Sequence, residues 1–525
     1  MVSVSVVMAI GIGFLPCGLT PMVTASSLIV GLMAGIAVFS FTKPQPSAKP
    51  DSWDWVMLAI FSLASLRAFL WLVYQTGDEW KVLSPYNLGD ISLHIQFIRY
   101  MASGIRFWPE SPILSGSPLV YPPGMDLWNS LLLQAGIPLR QGLIWVGLCG
   151  AALTAWSVWR WGGAFAIACL LFNGGLAGFE IFQTHQIQDF QSELAWKNLF
   201  LTMFVTQRGL LFAIPCGLTL LTAWRDDFFQ NGSGIPRWVQ FFLYAFLPLF
   251  SAHAFLFLSL VLLGIFIFEA RSRPALLLFV GAAIIPATLS AYLVTGGFSS
   301  NSGLRWLPGW MQGKDGWTFW LINFGLTLPL LAVLFWKGIV RGNSLSRSFL
   351  TPALGIFTFC LFVAFAPWEW DNTKLMLWGW ITAAPFLWHL AIQPLAYPYR
   401  IPLCAILFFS GAVSLVGGLD GRHGYTLLQR QEVDRAKAAL SIVPHGERIA
   451  IDPEFNNPVI LLGYPVVCGY EGHLWSHGLH YRETWAKLKN VLQQGPEWKR
   501  DAREINADWI FIKGLPPTLI RIPKE

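Results

Sequence analysis

Residues 198–222 read NLFLTMFVTQRGLLFAIPCGLTLLT. The stretch is long and apolar enough to cross a bilayer, because a helix of about 20 apolar residues spans the hydrocarbon core. One charged side chain, Arg208, interrupts it directly after Gln207. A guanidinium at that depth is costly, so it needs an anionic partner. The sequence leaves two partners open, an acidic side chain or a lipid phosphate.

The composition of the whole chain agrees with a membrane location. Of the 525 residues, 54% are hydrophobic and only 12% are charged, whereas about a quarter of a soluble domain is charged. One soluble core cannot bury that much apolar surface, and disordered chains have the opposite composition. The net charge of +6 includes no basic run, which argues against nucleic-acid binding. We therefore predict a polytopic α-helical membrane protein.

Charge is distributed unevenly along the chain. Residues 420–525 carry 27 of the 64 charged residues, which is the density of a soluble domain. We therefore predict a transmembrane domain over 1–419 and a water-facing α/β domain over 420–525. In the latter, strands are predicted at 448–452, 458–462 and 509–513, and helices near 430–442, 482–494 and 497–506.

Thirteen apolar runs are long enough, or nearly long enough, to cross the membrane. They are residues 3–22, 25–42, 54–74, 142–158, 162–179, 198–222, 238–253, 254–270, 275–295, 317–336, 349–366, 375–392 and 401–419. Residues 125–138 are too short to span and are predicted to be re-entrant or interfacial. This count places Lys43, Lys49 and a glycosylation sequon at Asn231 inside, and the C-terminal domain outside. A bacterial plasma (inner) membrane is the expected location.

The first predicted outer loop, 75–141, contains an amphipathic stretch. Apolar residues recur at helical spacing from Leu88 to Ser103, and Asp90 and His94 share another face. Tyr121 then precedes two prolines that end regular structure. The pattern predicts a helix along the membrane surface that aims a carboxylate between the loop and the bilayer.

The motifs of this loop resemble those of the GT-C superfamily, which are integral-membrane glycosyltransferases using polyprenyl-phosphate-linked sugars. The resemblance covers roughly 80–130 and rests on Asp90-x3-His94, the run from Gly104 to Pro109, and Tyr121-Pro-Pro. Many members carry an acidic doublet in this loop, whereas Asp90 stands alone with Asn87 and His94. The family architecture is also matched, with many spans, a long first outer loop and a C-terminal domain on the same side.

The resemblance implies roles for residues across the predicted outer face. Asp90 is the expected base, oriented by His94, with Glu180 and Asp371 as alternative carboxylates. Expected ligands of the donor phosphate are Arg208, Lys197, Lys374 and Arg305, with Lys197 and Arg208 near one face of a single helix. Expected substrate contacts are Trp108, Tyr121, Gln207, His253, Trp368, Glu369, Tyr470 and His473. A divalent cation, Mg²⁺ or Mn²⁺, is compatible with this chemistry, and a single displacement would invert the anomeric centre.

Each assignment has a structural alternative. Asp90 and His94 could cap and solubilise an interfacial helix, and Arg208 could pair with Glu180 or Glu193. His253 could simply end a hairpin, and the run from Trp368 to Lys374 could be an interfacial aromatic belt. In the tail, residues 469–478 are expected to cover the site entrance or to form a packed loop. The spacing of His473, His477 and His480 would also suit zinc.

Two other functional classes remain open from the sequence. A transporter or flippase of a lipid-linked or amphipathic substrate would show inverted repeats and polar groups at mid-membrane, and no internal repeat is visible. A membrane-anchored assembly factor would leave the intramembrane Arg208 and the first-loop acid unexplained. Sugar transfer from a polyprenyl-phosphate-linked donor to an extracytoplasmic acceptor is therefore the favoured prediction.

Overall fold

The computed structural model describes residues 1–42, 49–230, 232–298, 303–422 and 424–523. Lys43 and Asn231, which carried sequence predictions, lie outside these ranges. The helices before residue 420 are α1 (Val2–Gly13), α2 (Pro21–Phe41), α3 (Ser52–Leu70), α4 (Asp90–Ala102), α5 (Gly124–Gln134), α6 (Leu139–Leu171), α7 (Ile181–Thr184), α8 (Leu210–Phe229), α9 (Arg237–Ala245), α10 (Ala252–Phe268), α11 (Arg273–Val294), α12 (Gly316–Phe324), α13 (Thr327–Leu334), α14 (Ser344–Phe359), α15 (Thr373–Leu387) and α16 (Tyr397–Gly418).

Fewer helices than predicted are long and apolar enough to cross a membrane. Within the described ranges there are six, namely α2, α3, α6, Ala270–Val294, Glu369–Ile392 and α16. The pair Gly316–Phe324 and Thr327–Val340 makes a seventh if its 79° bend lies within one span. The predicted count of thirteen is therefore not confirmed, because several apolar runs fold as short or broken helices. The protein is nevertheless mainly helical with several candidate spans, as predicted.

The opening stretch 198–222 is not one helix. A π-helical turn covers Phe200–Phe204, helical structure is interrupted at 205–209, and α8 begins at Leu210. The prediction that Lys197 and Arg208 share a face of one helix is therefore wrong. An apolar run indicates that a segment lies in the membrane, but it does not indicate whether the backbone is helical along its whole length.

Helices α4 and α5 pack against each other in the part of the chain that was predicted to be the first outer loop. Ser130 of α5 donates to the carbonyl of Ile98 at 2.8 Å, and Gln134 donates to the carbonyl of Ala102 at 2.8 Å. These bonds hold the two helices side by side. The helix predicted over 88–103 is confirmed as α4, but Ile91 through Ile98 are all buried. It is therefore enclosed by protein and does not simply lie on a membrane surface.

The chain after residue 420 is a small α/β region, as predicted. Its strands are β5 (Tyr425–Gln429), β6 (Ile449–Ala450), β7 (Trp509–Ile512) and β8 (Thr518–Arg521). Strand β6 pairs parallel to β7, and β8 pairs antiparallel to β7. Its helices are α17 (Arg430–Ala439), α18 (Pro458–Leu461), α19 (Glu471–Ser476), α20 (Arg482–Gln493) and α21 (Trp498–Glu504). The helices predicted at 430–442, 482–494 and 497–506 are thus confirmed.

One predicted strand of this region is a helix. Residues 458–462 are apolar enough for a strand, yet Pro458–Leu461 forms the single turn α18. Asn457 caps this turn by accepting a hydrogen bond from the Val459 amide at 3.0 Å, and Pro458 occupies its first position. Both are helix-start signals, and they decide the local structure here.

The remaining four strands lie before residue 420 and belong to two further sheets. Strands β1 (Tyr74–Thr76) and β2 (Glu79–Val82) form a hairpin in the first loop, and β2 pairs antiparallel with β5 of the tail. Strands β3 (Arg305–Trp306) and β4 (Val363–Ala364) form a second pair. Because β2 and β5 share a sheet, the first loop and the C-terminal region are joined at the point where the tail begins.

Candidate active site

The centre of the candidate site is a buried histidine and carboxylate pair. The Nδ1 atom of His94 lies 2.9 Å and 3.1 Å from the two carboxylate oxygens of Asp126. His94 is 3% exposed and Asp126 is 1% exposed. The pair forms because His94 lies one turn into α4, while Asp126 lies in the first turn of the neighbouring α5.

Arg208 lies beside this pair. Its Nε atom is 4.0 Å from a carboxylate oxygen of Asp126, and the residue is 2% exposed. Among the described residues, none of its three guanidinium nitrogens has a hydrogen-bond partner. The predicted alternatives of a structural pair with Glu180 or Glu193 are not found; the acidic neighbour is Asp126. A buried guanidinium without hydrogen bonds retains a strong demand for an anion.

Asp90 lies close to the turn that carries Arg208. Gln207, the residue before Arg208, donates from Nε2 to a carboxylate oxygen of Asp90 at 3.3 Å. Asp90 itself is partly exposed at the start of α4. The expectation that His94 orients Asp90 is not met, because the His94 hydrogen bonds go to Asp126. Asp90 and Asp126 therefore both lie close to the Gln207–Arg208 turn, Asp90 through Gln207 and Asp126 through Arg208.

Gly209 lets this turn approach the protein interior. A Cβ atom at that position would lie 2.2 Å from the carbonyl oxygen of Phe250, a distance that no side chain tolerates. Gly124 at the start of α5 is similarly confined, with 2.7 Å to the Leu249 carbonyl oxygen. The segment around Leu249 and Phe250 therefore packs directly against the backbone that carries Arg208 and the backbone that leads to Asp126.

Tyr121 forms an aromatic wall over the buried pair. Its ring centroid is 6.0 Å from that of His94, 5.2 Å from that of Phe97 and 5.3 Å from that of His477. Burial, together with the nearby charges of Asp126 and Asp90, raises the pKa of the Tyr121 phenol well above its ordinary value. The hydroxyl therefore stays protonated and can donate a hydrogen bond.

The tail contributes residues from α19 to the same place. A Cβ atom on Gly89, the residue before Asp90, would lie 3.8 Å from Nε2 of His473. The ring centroids of His473 and Tyr470 are 5.2 Å apart. Burial lowers the pKa of His473, and it lowers the pKa of His477 to about 3, so both rings are neutral near pH 7. The tail segment predicted to cover the entrance thus lies beside Asp90. His477 was not predicted as a substrate contact.

The fifth predicted outer loop supplies a second charged pair. Nζ of Lys374 lies 3.1 Å from a carboxylate oxygen of Asp371, and both are within electrostatic reach of His253. Lys197 lies over the rings of Tyr86 and Trp370, at 5.4 Å and 5.7 Å. The charge of Asp371 also acts on the Tyr121 phenol, where it adds to the rise in pKa that burial causes.

Several predicted residues lie outside this cluster. Arg305 pairs with Glu369 at 2.5 Å in a half-exposed ion pair, and the tilted rings of Trp368 and Trp370 have centroids 5.0 Å apart. Trp108 donates to the carbonyl of Leu119 at 2.7 Å. Glu180 is exposed in a short 3₁₀ turn, and the described contacts do not connect it to Asp90 or Arg208.

Asp126 is the central residue that the sequence analysis missed. It lies in the 125–138 segment, which was interpreted only as too short to cross. The available signal was a carboxylate in an otherwise apolar short helix directly after Tyr121-Pro-Pro-Gly. An isolated charge in such a helix is as costly as Arg208 is in its own apolar run, and the same reasoning would have flagged both.

A divalent cation would need several histidine, cysteine or carboxylate side chains gathered around one point. Across the described ranges, no group of three or more His, Cys, Asp and Glu side chains is arranged to hold a metal ion. This also leaves the zinc alternative for the tail histidines without support. Both Asp126 oxygens face His94, and the cation Arg208 lies beside them. These residues therefore do not form a fitting site for a metal ion.

The fold resembles that of a solved membrane oligosaccharyltransferase. The particular similarity is to the Archaeoglobus fulgidus oligosaccharyltransferase, in a crystal structure of that enzyme tethered with an acceptor peptide containing the NVT sequon via a disulfide bond. Sequence identity is 10%, the TM-score is 0.50, and the match covers 87% of this chain and 69% of that chain. No protein-family model matches the chain, and no curated protein matches it. The resemblance predicted from residues 80–130 is thereby confirmed at the level of the fold.

Proposed function

We propose that the protein is a glycosyltransferase that moves a sugar from a polyprenyl-phosphate-linked donor to an acceptor hydroxyl on the extracytoplasmic side. The observation that carries this proposal is the position of Asp90 next to the Gln207–Arg208 turn, where Arg208 is buried without a hydrogen-bond partner among the residues that the structure describes. A base beside an unsatisfied guanidinium is the arrangement that displacement of a phosphate requires. The fold similarity supports the same class of reaction.

The reaction assigns complementary roles to the two residues. Asp90 takes the proton of the acceptor hydroxyl, and the oxygen attacks the anomeric carbon of the donor. The bond between that carbon and the phosphate oxygen breaks, and its electron pair leaves with the polyprenyl phosphate. Arg208 stabilises the negative charge that develops on the departing phosphate. One displacement from the opposite face inverts the anomeric centre.

Other residues orient these groups and bind substrate. Asp126 holds Arg208 and His94 in place through the contacts described above. Tyr121 and His477 enclose the site, and the partly exposed Tyr470 and His473 are placed to contact the acceptor. Lys374 and Lys197 are assigned to the outer side of the donor site. Under this proposal the prenyl chain lies in the bilayer of the plasma membrane, and the tail faces the extracytoplasmic space.

Replacement of Asp90 tests the proposed function. In proteoliposomes supplied with labelled polyprenyl-phosphate sugars, D90N should lower the release of polyprenyl phosphate by about 100-fold or more, because general bases contribute about 10² to 10⁴ in rate. The matched control is D78N, which changes an exposed carboxylate at the tip of the β1–β2 hairpin and should keep activity within about twofold.

Two outcomes would contradict the proposal. Full activity of D90N would remove Asp90 from the chemistry. Movement of an intact lipid-linked substrate across the vesicle, without release of polyprenyl phosphate and without an effect of D90N, would instead support the transporter or flippase alternative. Correct insertion of both variants is checked by their elution as single species in detergent.

A further inference from the structure

A polar cleft opens where three segments of the chain meet. It has a volume of about 860 Å³ and is lined by the loop 185–192, by Gly417 and Gly418 at the end of α16, and by Gly424 and Tyr425 where β5 begins. Binding sites for small organic ligands usually have volumes of about 300 to 1,000 Å³, so the cleft is large enough for such a ligand. The proposed reaction gives this cleft no role.

The backbone around the cleft is held in place. A Cβ atom on Gly417 would lie 2.1 Å from the carbonyl carbon of Gln188, so the loop 185–192 packs directly on the end of α16. The carboxylate of Asp189 accepts hydrogen bonds from the Tyr86 hydroxyl at 2.7 Å and from the Gln191 amide at 3.0 Å. Because a carboxylate can accept about four hydrogen bonds, Asp189 is fixed in orientation and can still accept from a ligand.

Several neutral side chains of the wall can also bind a ligand. Gln186 and Gln188 are exposed, and their side-chain amides make no hydrogen bond to other described residues. The half-buried Ser192 adds a hydroxyl, and Tyr425, which is 41% exposed, adds a ring and a phenol. Amides and hydroxyls both donate and accept, as sugar hydroxyls do, and an aromatic ring can pack on the apolar face of a sugar. This combination of groups suits a saccharide.

The charged groups of the cleft disfavour an anionic ligand. Arg422 forms an ion pair with Asp420, and Asp189 is a second acidic side chain. Among the described residues that line the cleft, there is no lysine and no arginine besides Arg422. A phosphate or carboxylate would therefore meet two acids and no unpaired lysine or arginine, and like charges repel. The uncharged hydroxyls of a sugar avoid this repulsion.

We propose that this cleft is a binding site for a neutral saccharide, separate from the positions around Asp90. Asp189 accepts hydrogen bonds from the sugar hydroxyls, and the amides of Gln186 and Gln188 both donate and accept. Tyr425 packs against a sugar ring. None of these four wall residues takes part in the proposed transfer, so the site does not depend on which reaction the protein catalyses.

Glycan binding tests the site directly. The full-length protein in labelled nanodiscs is applied to an array of neutral oligosaccharides of glucose, galactose, mannose and N-acetylglucosamine. Sialylated and phosphorylated oligosaccharides and short polar peptides are printed beside them, and empty nanodiscs give the background. We expect binding to neutral glycans and none to the charged glycans or the peptides. The dissociation constant of the neutral glycan that binds most tightly is then measured by calorimetry.

Substitutions in the wall connect this binding to the cleft. The double variant Q186A/Q188A and the variant Y425A should each weaken binding of that glycan by about tenfold or more, and Y425F, which keeps the ring, should weaken it less. Q183A and Y399A are the matched controls, because they change exposed residues that do not line the cleft. Both controls should bind the glycan as the wild type does.

The other outcomes would overturn the proposal. Absence of binding to every neutral glycan, or binding that Q186A/Q188A and Y425A leave unchanged, would show that the cleft is not a saccharide site. Preferential capture of charged glycans or of peptides would contradict the class of ligand. Loss of glycan binding in D90N would place the saccharide at the transfer site. Elution as a single species in detergent checks each variant, and if Y425A fails this check, Q186A/Q188A decides because it alters only exposed side chains.

Discussion

At the residue scale, the most constrained group is the carboxylate of Asp126. It accepts from His94 at 2.9 Å and lies 4.0 Å from Nε of Arg208, and all three side chains are almost completely buried. Its charge therefore compensates a guanidinium that makes no hydrogen bond within the described part of the chain. Removing one member of a buried pair is much more destabilising than removing both, because the remaining charge is left uncompensated.

D126N should therefore lower the free energy of unfolding by about 3 kcal/mol, even though asparagine has nearly the same shape. The measurement is the unfolding midpoint in a denaturing detergent titration. D226N serves as the matched control, since Asp226 pairs with Arg225 in a partly exposed position where such pairs contribute at most about 1 kcal/mol. An equal loss for both variants would show that the Asp126 charge does not compensate Arg208.

A residue of the site could be predicted from the sequence where its side chain was chemically unusual for the segment around it. Arg208 stands out in an apolar run, and Asp90 stands out in an amphipathic loop. Asp126 escaped prediction because its role depends on a pairing with α4, 32 residues away in sequence. For the same reason the sequence could not tell that His94 would turn toward Asp126 and not toward Asp90. Roles that depend on tertiary neighbours have no local signature.

At the element scale, α19 brings two neutral imidazoles into the site. The pKa of His477 is lowered to about 3 by burial, against an ordinary value of 6.5. At a pH between about 3 and 6.5, the His477 imidazole is protonated in the unfolded chain and neutral in the folded chain. The contribution of this residue to stability is therefore complete above pH 6.5 and is lost as the pH falls toward 3.

The unfolding free energy of the wild type should accordingly fall between pH 7.5 and pH 5, and H477Q should lose about 1 to 2 kcal/mol less over that interval. Detergent-induced unfolding at the two pH values measures the difference. H185Q, at an exposed loop position, should retain the wild-type pH dependence. A fall in H477Q as steep as in the wild type would contradict the burial of a neutral imidazole.

Elements with a strong periodic or capping signal were predictable, and elements without one were not. Helix α4 and the tail helices α17, α20 and α21 follow from apolar spacing, and β7 follows from its apolar run. The interruption at 205–209 falls at the polar Gln207 and Arg208 within an otherwise apolar run, and the bend between α12 and α13 lies in a run that is mainly apolar. Where the side chains along a run are chemically alike, nothing in them specifies the position of a break.

At the scale of the whole molecule, the tail is fixed to the first outer loop. Arg448 donates from Nη1 to the carbonyl of Val466 at 2.9 Å, and from Nη2 to Glu110 at 2.6 Å and to the carbonyl of Ser111 at 3.0 Å. Gln96 of α4 donates to the carbonyl of Tyr464 at 2.9 Å. These bonds, with the β2–β5 pairing, set the position of α19 over Asp90.

R448M should release this attachment while keeping most of the apolar stem. We expect a loss of about 2 kcal/mol, from the charge-assisted bonds and the carbonyls left unpaired, and faster protease cleavage within 430–523. K487M is the control, because Lys487 forms exposed ion pairs with Glu483 and Glu504 that contribute little. Cleavage of R448M at the wild-type rate would mean that other contacts hold the tail.

The predicted class, a mainly helical membrane protein, is confirmed, and the predicted number of crossings is not confirmed. The division into a transmembrane domain and a water-facing tail domain stays a prediction. Hydropathy indicates which segments are removed from water, and it correctly predicted that the chain is a membrane protein. It does not distinguish a full crossing from a short or bent helix surrounded by other helices, such as α1 or α10. The number and direction of crossings therefore depend on packing that a single sequence does not record.

The start of α8 two residues beyond Arg208 has one more consequence. The peptide units of a helix align their dipoles, and the sum places roughly half a positive charge at the amino end. In this protein that end adjoins the turn that carries the guanidinium. Part of the positive potential is thus supplied by the main chain, which amino-acid replacement at position 208 leaves in place. Two features therefore attract an anion here. One is the side chain at position 208, which mutation can replace, and the other is the amino end of α8, which is retained as long as the helix begins at this position.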